Sequence, residues 1–203
     1  MPVYQKNNIS ETTKIGVWKI TETEAELTEA FVNIGLDKET FLQTKNEQRS
    51  KQWLTTRILL NEFFENVQIS YDIYGKPQLS NNWHISISHS NEFVAINLNE
   101  KNHCGIDIEK ISDKVARIKH KFLNDEDLKN VTSPEDLTIY WGAKEALYKC
   151  YGKKEVLFIE NLFIEDYKEN VNSFKGKIDM PDFKIEIQMA WENVDDYILV
   201  YTL

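Results

Sequence analysis

Two short stretches hold the side chains best suited to chemistry: Trp141-Gly-Ala-Lys144-Glu145-Ala-Leu-Tyr-Lys149, and Gly105-Ile-Asp107-Ile-Glu109 some forty residues earlier. A helix turns about 100° per residue, which gathers Trp141, Lys144, Glu145, Tyr148 and Lys149 in an arc of roughly 140°. Ile139, Ala143, Ala146, Leu147 and Cys150 share the opposite face. In an extended segment side chains alternate, so Asp107 and Glu109 point one way while Ile106 and Ile108 point the other. Two strand carboxylates opposite a helical Glu and Lys form a set able to hold a divalent cation beside a phosphate. Magnesium suits such a set, because it is commonly held by a few carboxylates and keeps positions for water and substrate phosphate. Asp107, Glu109 and Glu145 are the candidate ligands. Lys149, one turn beyond Glu145, is placed to stabilise a departing phosphate oxygen. A Glu–Lys pair at i,i+4 is also an ordinary surface ion pair worth about 0.2–0.5 kcal/mol, so spacing alone does not separate chemistry from solvation.

The elements that must position these groups follow from periodicity and punctuation. Ser133-Pro134-Glu135-Asp136 is a strong helix start, and Gly152 is its natural stop, predicting a helix to Tyr151. A second long helix is expected from about Asn46 to Phe64, carrying Arg49, Lys51 and Arg57, with a shorter one over Thr23–Ile34. Gly16–Ile20 reads as a strand. Ile69–Tyr74 reads as extended and ends at Gly75-Lys76-Pro77, a turn that presents Lys76. His84 to Leu98 reads as a hairpin with His89 at its bend. Val156–Ile164, Ser173–Ile178, Phe183–Trp191 and Tyr197–Thr202 read as scaffold strands. The segment from Lys110 to Lys121 carries Lys114, Arg117, Lys119 and Lys121 against the single acid Asp113.

At 203 residues, with 41% hydrophobic and 12% aromatic side chains, the chain suits one generous domain or two small lobes sharing a core. A net charge of −9 argues against a general nucleic-acid surface. The start lacks a charged leader followed by an apolar run, and no stretch approaches the roughly 18 apolar residues of a membrane span, so a cytoplasmic protein with no membrane partner is expected. Cys104 and Cys150 lie in no metal or redox spacing and are expected to be buried thiols.

Taken in order and at these separations, Gly75-Lys76-Pro77, Ile87-Ser88-His89-Ser90, Gly105-Ile-Asp107-Ile-Glu109 and Trp141 to Lys149 resemble the 4'-phosphopantetheinyl transferases of the surfactin-synthetase-activating type. The length also resembles that family's single-chain, monomeric form. The resemblance implies an α+β fold of two similar lobes related by a pseudo-twofold, residues 1–103 and 104–203, each a small antiparallel sheet with a long helix. Coenzyme A would lie in the cleft between them as co-substrate, with magnesium on its pyrophosphate. A serine hydroxyl of an apo acyl or peptidyl carrier protein would attack the β-phosphorus, and 3',5'-ADP would leave.

On matching positions, Asp107, Glu109 and Glu145 would bind metal, with Glu145 or a metal-bound water taking the serine proton, and Lys149 would serve the transferring phosphate. Lys144 would support the pyrophosphate or the ion network. Ser88 and His89 would meet coenzyme A phosphates, and Lys76, Arg49 and Arg57 the nucleotide end. Either Glu126 or Asp127 matches a family acid. The basic segment with Lys114, Arg117 and Lys121 is expected to dock the acidic carrier. Two other readings use similar residues: a magnesium-dependent nuclease, and a non-catalytic coenzyme A or carrier-binding module of the same fold.

Overall fold

The computed structural model describes residues 3–35, 46–168 and 171–203. The fold is α+β, built on two antiparallel sheets. The first contains β1 (Gln5–Asn8), β2 (Thr13–Lys19), β3 (Ile69–Tyr71), β4 (Pro77–Leu79), β5 (His84–Ser90) and β6 (Phe93–Asn99), in the order β1-β2-β6-β5-β4-β3. The second contains β7 (Ile106–Lys110), β8 (Leu162–Glu165), β9 (Ser173–Met180), β10 (Phe183–Val194) and β11 (Tyr197–Thr202), in the order β7-β11-β10-β9-β8. Helices α1 (Glu24–Asn33) and α2 (Glu47–Asn61) precede β3. Helices α3 (Asp113–Ile118), α4 (Asp127–Asn130), α5 (Pro134–Tyr151) and α6 (Phe158–Asn161) lie between β7 and β8.

Each long helix is fixed at its ends by its own sequence. Asn46 caps α2 by accepting from the Arg49 amide at 3.1 Å. Ser133 and Asp136 form a reciprocal capping box on α5, Pro134 occupies the first turn, and Gly152 ends it at φ 74°, a left-handed conformation that a side chain would strain. The apolar side of α2, with Leu54, Ile58 and Leu59, packs on Trp18, Ile85, Ile96 and Leu98 of the first sheet. That of α5, with Ile139, Ala143, Ala146 and Leu147, packs on Phe174, Ile178, Ile198 and Val200 of the second. A third buried cluster joins Ile15, Val17, Phe93 and Ala95 to Ile106, Ile108, Tyr197 and Leu199, so one core runs through both sheets. Asn97 reinforces this junction, donating to the carbonyls of Gly105 at 3.1 Å and Thr202 at 2.8 Å.

Two local expectations are corrected, and one strand is added. His89 pairs with Val94 within the ladder, and the bend falls at Asn91 and Glu92. Val156–Ile164 is not one strand: it contains the short α6 before β8, because Asn161 accepts from the Leu157 amide and closes a turn there. The polar start contributes β1, whose register on β2 pairs Gln5 with Val17.

Candidate active site

The strand β7 and the helix α5 meet at Gly105. A Cβ built there would lie 2.6 Å from the carbonyl carbon of Ala146 and closer still to its oxygen, so only glycine allows this approach. The contact sets the distance between the strand carboxylates and the helix side chains of Glu145 and Lys149. Asp107 is 3% exposed. Its Oδ1 accepts from Lys149 Nζ at 2.7 Å and from Ser88 Oγ at 2.8 Å. Lys149 Nζ also donates to the Ile106 carbonyl at 3.1 Å. Asp107 Oδ2, beside Gly142, is buried with no hydrogen-bond partner.

The other two carboxylates are partly buried and sense Asp107. Burial comes first, and the Asp107 charge second, in raising the Glu109 pKa, while Trp141 Nε1 donates to Glu109 Oε1 at 3.3 Å. Burial, then the charges of Asp107 and Glu109, pushes Glu145 up to about 7 against the pull of Lys149. A buried lone oxygen and two carboxyl groups biased toward protons form a donor set short of positive charge, which fits a hard divalent cation. Among the described residues no three acid, imidazole or thiol groups are gathered closely enough to hold a metal ion, so Asp107, Glu109 and Glu145 are not drawn together as a ligand set in this structure, and a cation there would take water and phosphate oxygens as well.

Lys149 also faces a pocket of about 560 Å³. Arg49, Gln52, Trp53, Thr56 and Arg57 of α2 form one wall, Tyr71, Tyr74 and Lys76 of the β3–β4 hairpin a second, and Tyr148 and Lys149 of α5 a third, with Ser86 and His89 on β5. The guanidinium of Arg57 lies over the Trp53 ring at 3.5 Å, leaving a flat cationic shelf in that wall. Lys76 Nζ donates to the Cys150 carbonyl at 2.6 Å. His89 is exposed at its edge, and desolvation, with the cations Lys149 and Arg49, lowers its pKa, so the imidazole is neutral near pH 7. The pocket thus collects Arg49, Arg57, Lys76, His89 and Lys149. The three carboxylates lie outside its lining and join it through Lys149.

Two residues expected near the ligand have partners within the fold. Lys144 is 0% exposed and lines none of this pocket. Its ammonium donates to Asp127 Oδ2 and the Phe122 carbonyl, each at 2.6 Å, and to the Phe158 carbonyl at 3.4 Å. It ties the loop before α4 to α5, a structural task. Ser88 is likewise buried and holds Asp107 while accepting from the Ile108 amide at 3.3 Å. Asp127, 3% exposed, is therefore the acid that belongs to this framework, whereas Glu126 is exposed and pairs with Lys129 at 2.7 Å. Ser86 and Gln52 in the pocket wall were not singled out from sequence. Ser86 carried a signal, standing two residues before Ser88 on the same face of β5.

Lys114, Arg117, Lys119 and Lys121 are exposed, and among the described residues none of them has an ion-pair partner. Lys110, at the end of β7, is bonded to Asp196 at 2.8 Å. Both cysteines are buried free thiols, and burial pushes Cys150 up to about 11. Among the described residues no helix is long and apolar enough to cross a membrane.

Residues 103–202 match the family described as the 4'-phosphopantetheinyl transferase superfamily. A curated relative, 4'-phosphopantetheinyl transferase gsp of Aneurinibacillus migulanus, is 28% identical over 156 residues. The match covers 70% of this chain and 64% of the relative, so the chain spans just under two thirds of that protein's length.

Proposed function

Because residues 103–202 match the 4'-phosphopantetheinyl transferase superfamily and a curated transferase of that name is 28% identical, we propose that the chain belongs to that superfamily and transfers the 4'-phosphopantetheine arm of coenzyme A to a serine hydroxyl of an apo acyl or peptidyl carrier protein. The observation that carries this reading is the coupling of an electron-rich carboxylate set to a cationic pocket through one side chain, Lys149, within the segment that matches the family.

Asp107, Glu109 and Glu145 are the residues that would hold a magnesium ion, which when bound neutralises charge on the diphosphate. The remaining work falls to the chain itself. Arg49, Lys76 and His89 bind phosphate oxygens, and the Arg57–Trp53 shelf receives the nucleotide base. Glu145 is the carboxylate that would accept the serine proton. The serine oxygen forms a bond to the β-phosphorus, the bond from that phosphorus to the bridging oxygen breaks, and the departing 3',5'-ADP is stabilised by the Lys149 ammonium. Ser88 keeps Asp107 from rotating as Lys149 shifts toward substrate.

The exposed cations Lys114, Arg117 and Lys121 lie on α3 and the 3-10 turn that follows it, while Trp141, which bonds Glu109, packs against Phe122 just beyond. An acidic carrier docked there would bring its serine toward Glu145 and offset like-charge repulsion from a chain of net charge −9. The test is incubation with coenzyme A, magnesium and an apo carrier protein. A mass gain of one phosphopantetheine arm supports the transferase. Binding of coenzyme A without that gain, under conditions where an authentic transferase modifies the same carrier, refutes it.

A further inference from the structure

A second pocket, of about 340 Å³, shares Tyr74, Lys76, Pro77, Gly152 and Lys153 with the first but has its own polar wall. That wall carries His84, at the start of β5, and His103, just before β7, whose rings meet edge to face with centroids 4.6 Å apart. Neither imidazole has a task in the proposed transfer. Asn82 and Gln78 add amide groups, and Trp83 an indole. Desolvation, then the charge of Lys76, lowers the pKa of both histidines, that of His103 to about 4, so each ring is neutral near pH 7.

The charges in this pocket are unbalanced. Among the described residues Asp72 is the one carboxylate in its lining, and Asp72 Oδ1 is already engaged by the amides of Tyr74 and Lys76. Lys153 is matched by Asp182 at 2.5 Å. Lys76 has no carboxylate ion pair among the described residues: its ammonium rests on the Cys150 carbonyl, and burial lowers its pKa. A largely desolvated ammonium facing a cavity with hydrogen-bond donors around it lacks a counter-ion.

We propose that this second pocket binds a small phosphate-class anion between Lys76 and the His84–His103 pair. The lysine supplies the fixed charge, and each neutral imidazole donates one N–H. The aromatic sides of Trp83, Tyr74 and Tyr151 leave room for a substituent, which favours a phosphate monoester over the free ion. Because Lys76 also faces the larger pocket, an anion here draws that ammonium away from a nucleotide there, making the site a modulator of the first.

Histidine ring resonances of the full-length protein, isotopically labelled, report this directly. They are followed while inorganic phosphate, or in a second arm phenyl phosphate, is added in a phosphate-free buffer of constant ionic strength. The expected result is a saturable shift of the His84 and His103 ring N–H signals, as each neutral imidazole donates to the anion, at millimolar concentrations. The shift is retained in Arg49→Ala, which alters the first pocket alone, and the His84 response is lost in His103→Phe, which keeps a ring in place. About tenfold tighter binding of phenyl phosphate identifies an ester as the ligand, and equal binding the free ion. The proposal is overturned if both signals stay fixed to about 20 mM of either probe, if chloride at equal ionic strength moves them as far, or if the shift disappears in Arg49→Ala.

Discussion

Replacing Glu145 by Gln should remove the proposed transfer and yet stabilise the metal-free protein, with an advantage that depends on pH. The ordinary pKa of this carboxyl is 4.5, and burial with the Asp107 and Glu109 charges pushes it up to about 7. A group whose folded pKa is raised keeps its proton in the native state between those two values while the unfolded chain has lost it, so stability falls as pH rises through that window. Above about pH 7 the full penalty is present. A shift of about 2.5 units corresponds to a ceiling of roughly 3 kcal/mol, and solvent together with the neighbouring Lys149 ammonium reduces the realised cost to about half. For a chain of this size each kcal/mol moves Tm by about 2–4 °C, so Glu145→Gln should melt about 3–6 °C above the native protein near pH 8.5 in the presence of a chelator. Near pH 4.5 the two should melt together. Differential scanning calorimetry at both pH values makes the comparison. Magnesium added near pH 8.5 should then raise the native protein's Tm more than the variant's. If the variant melts at or below the native temperature near pH 8.5, or keeps the same advantage near pH 4.5, the assignment of Glu145 as a proton-holding, charge-starved carboxyl is refuted.

Gly105→Ala must push β7 away from α5, and should cost about 3 kcal/mol or more in urea unfolding and at least tenfold in transfer rate, since Asp107 and Lys149 separate. Wild-type unfolding would show that the close approach is dispensable. Lys144→Ala leaves Asp127 buried and unpaired, with an expected loss of about 3–5 kcal/mol of stability, while coenzyme A affinity measured calorimetrically below the melting range stays within about twofold. A selective loss of coenzyme A binding in a stable variant would return Lys144 to the ligand. Reversing charge at Arg117 and Lys121 should raise the carrier protein's KM by about tenfold at low salt, with coenzyme A affinity unchanged; an equal fall in both affinities excludes docking there.

The sequence made α5 readable almost residue by residue, because its start and stop are written in local chemistry: the Ser133 box, Pro134 and Gly152. The outward side of the same helix was harder. Lys144 and Lys149 fall in one arc of a helical wheel, and only the loop from Phe122 to Asp127, folding over the first of them, separates a buried structural lysine from one that faces the pocket. Ser88 was adjacent to His89 in the motif and so grouped with it, although alternation along β5 sends the serine to Asp107 and the histidine to the pocket edge. The strand β1 carried no apolar alternation, since Gln5 to Asn8 owe their extension to pairing with β2. Pairing order was beyond local reasoning altogether, because it is set by contacts between residues far apart in the chain.

That pairing has a kinetic consequence. The strand bearing Asp107 and Glu109 finds its neighbour in β11, roughly ninety positions downstream, with Asp107 opposite Val200. During synthesis the ribosome therefore delivers both carboxylates long before the ladder that will hold them rigid, and closing so wide a loop is entropically slow. A nascent chain carries these two carboxylates without the scaffold that aims them, so their arrangement is completed late.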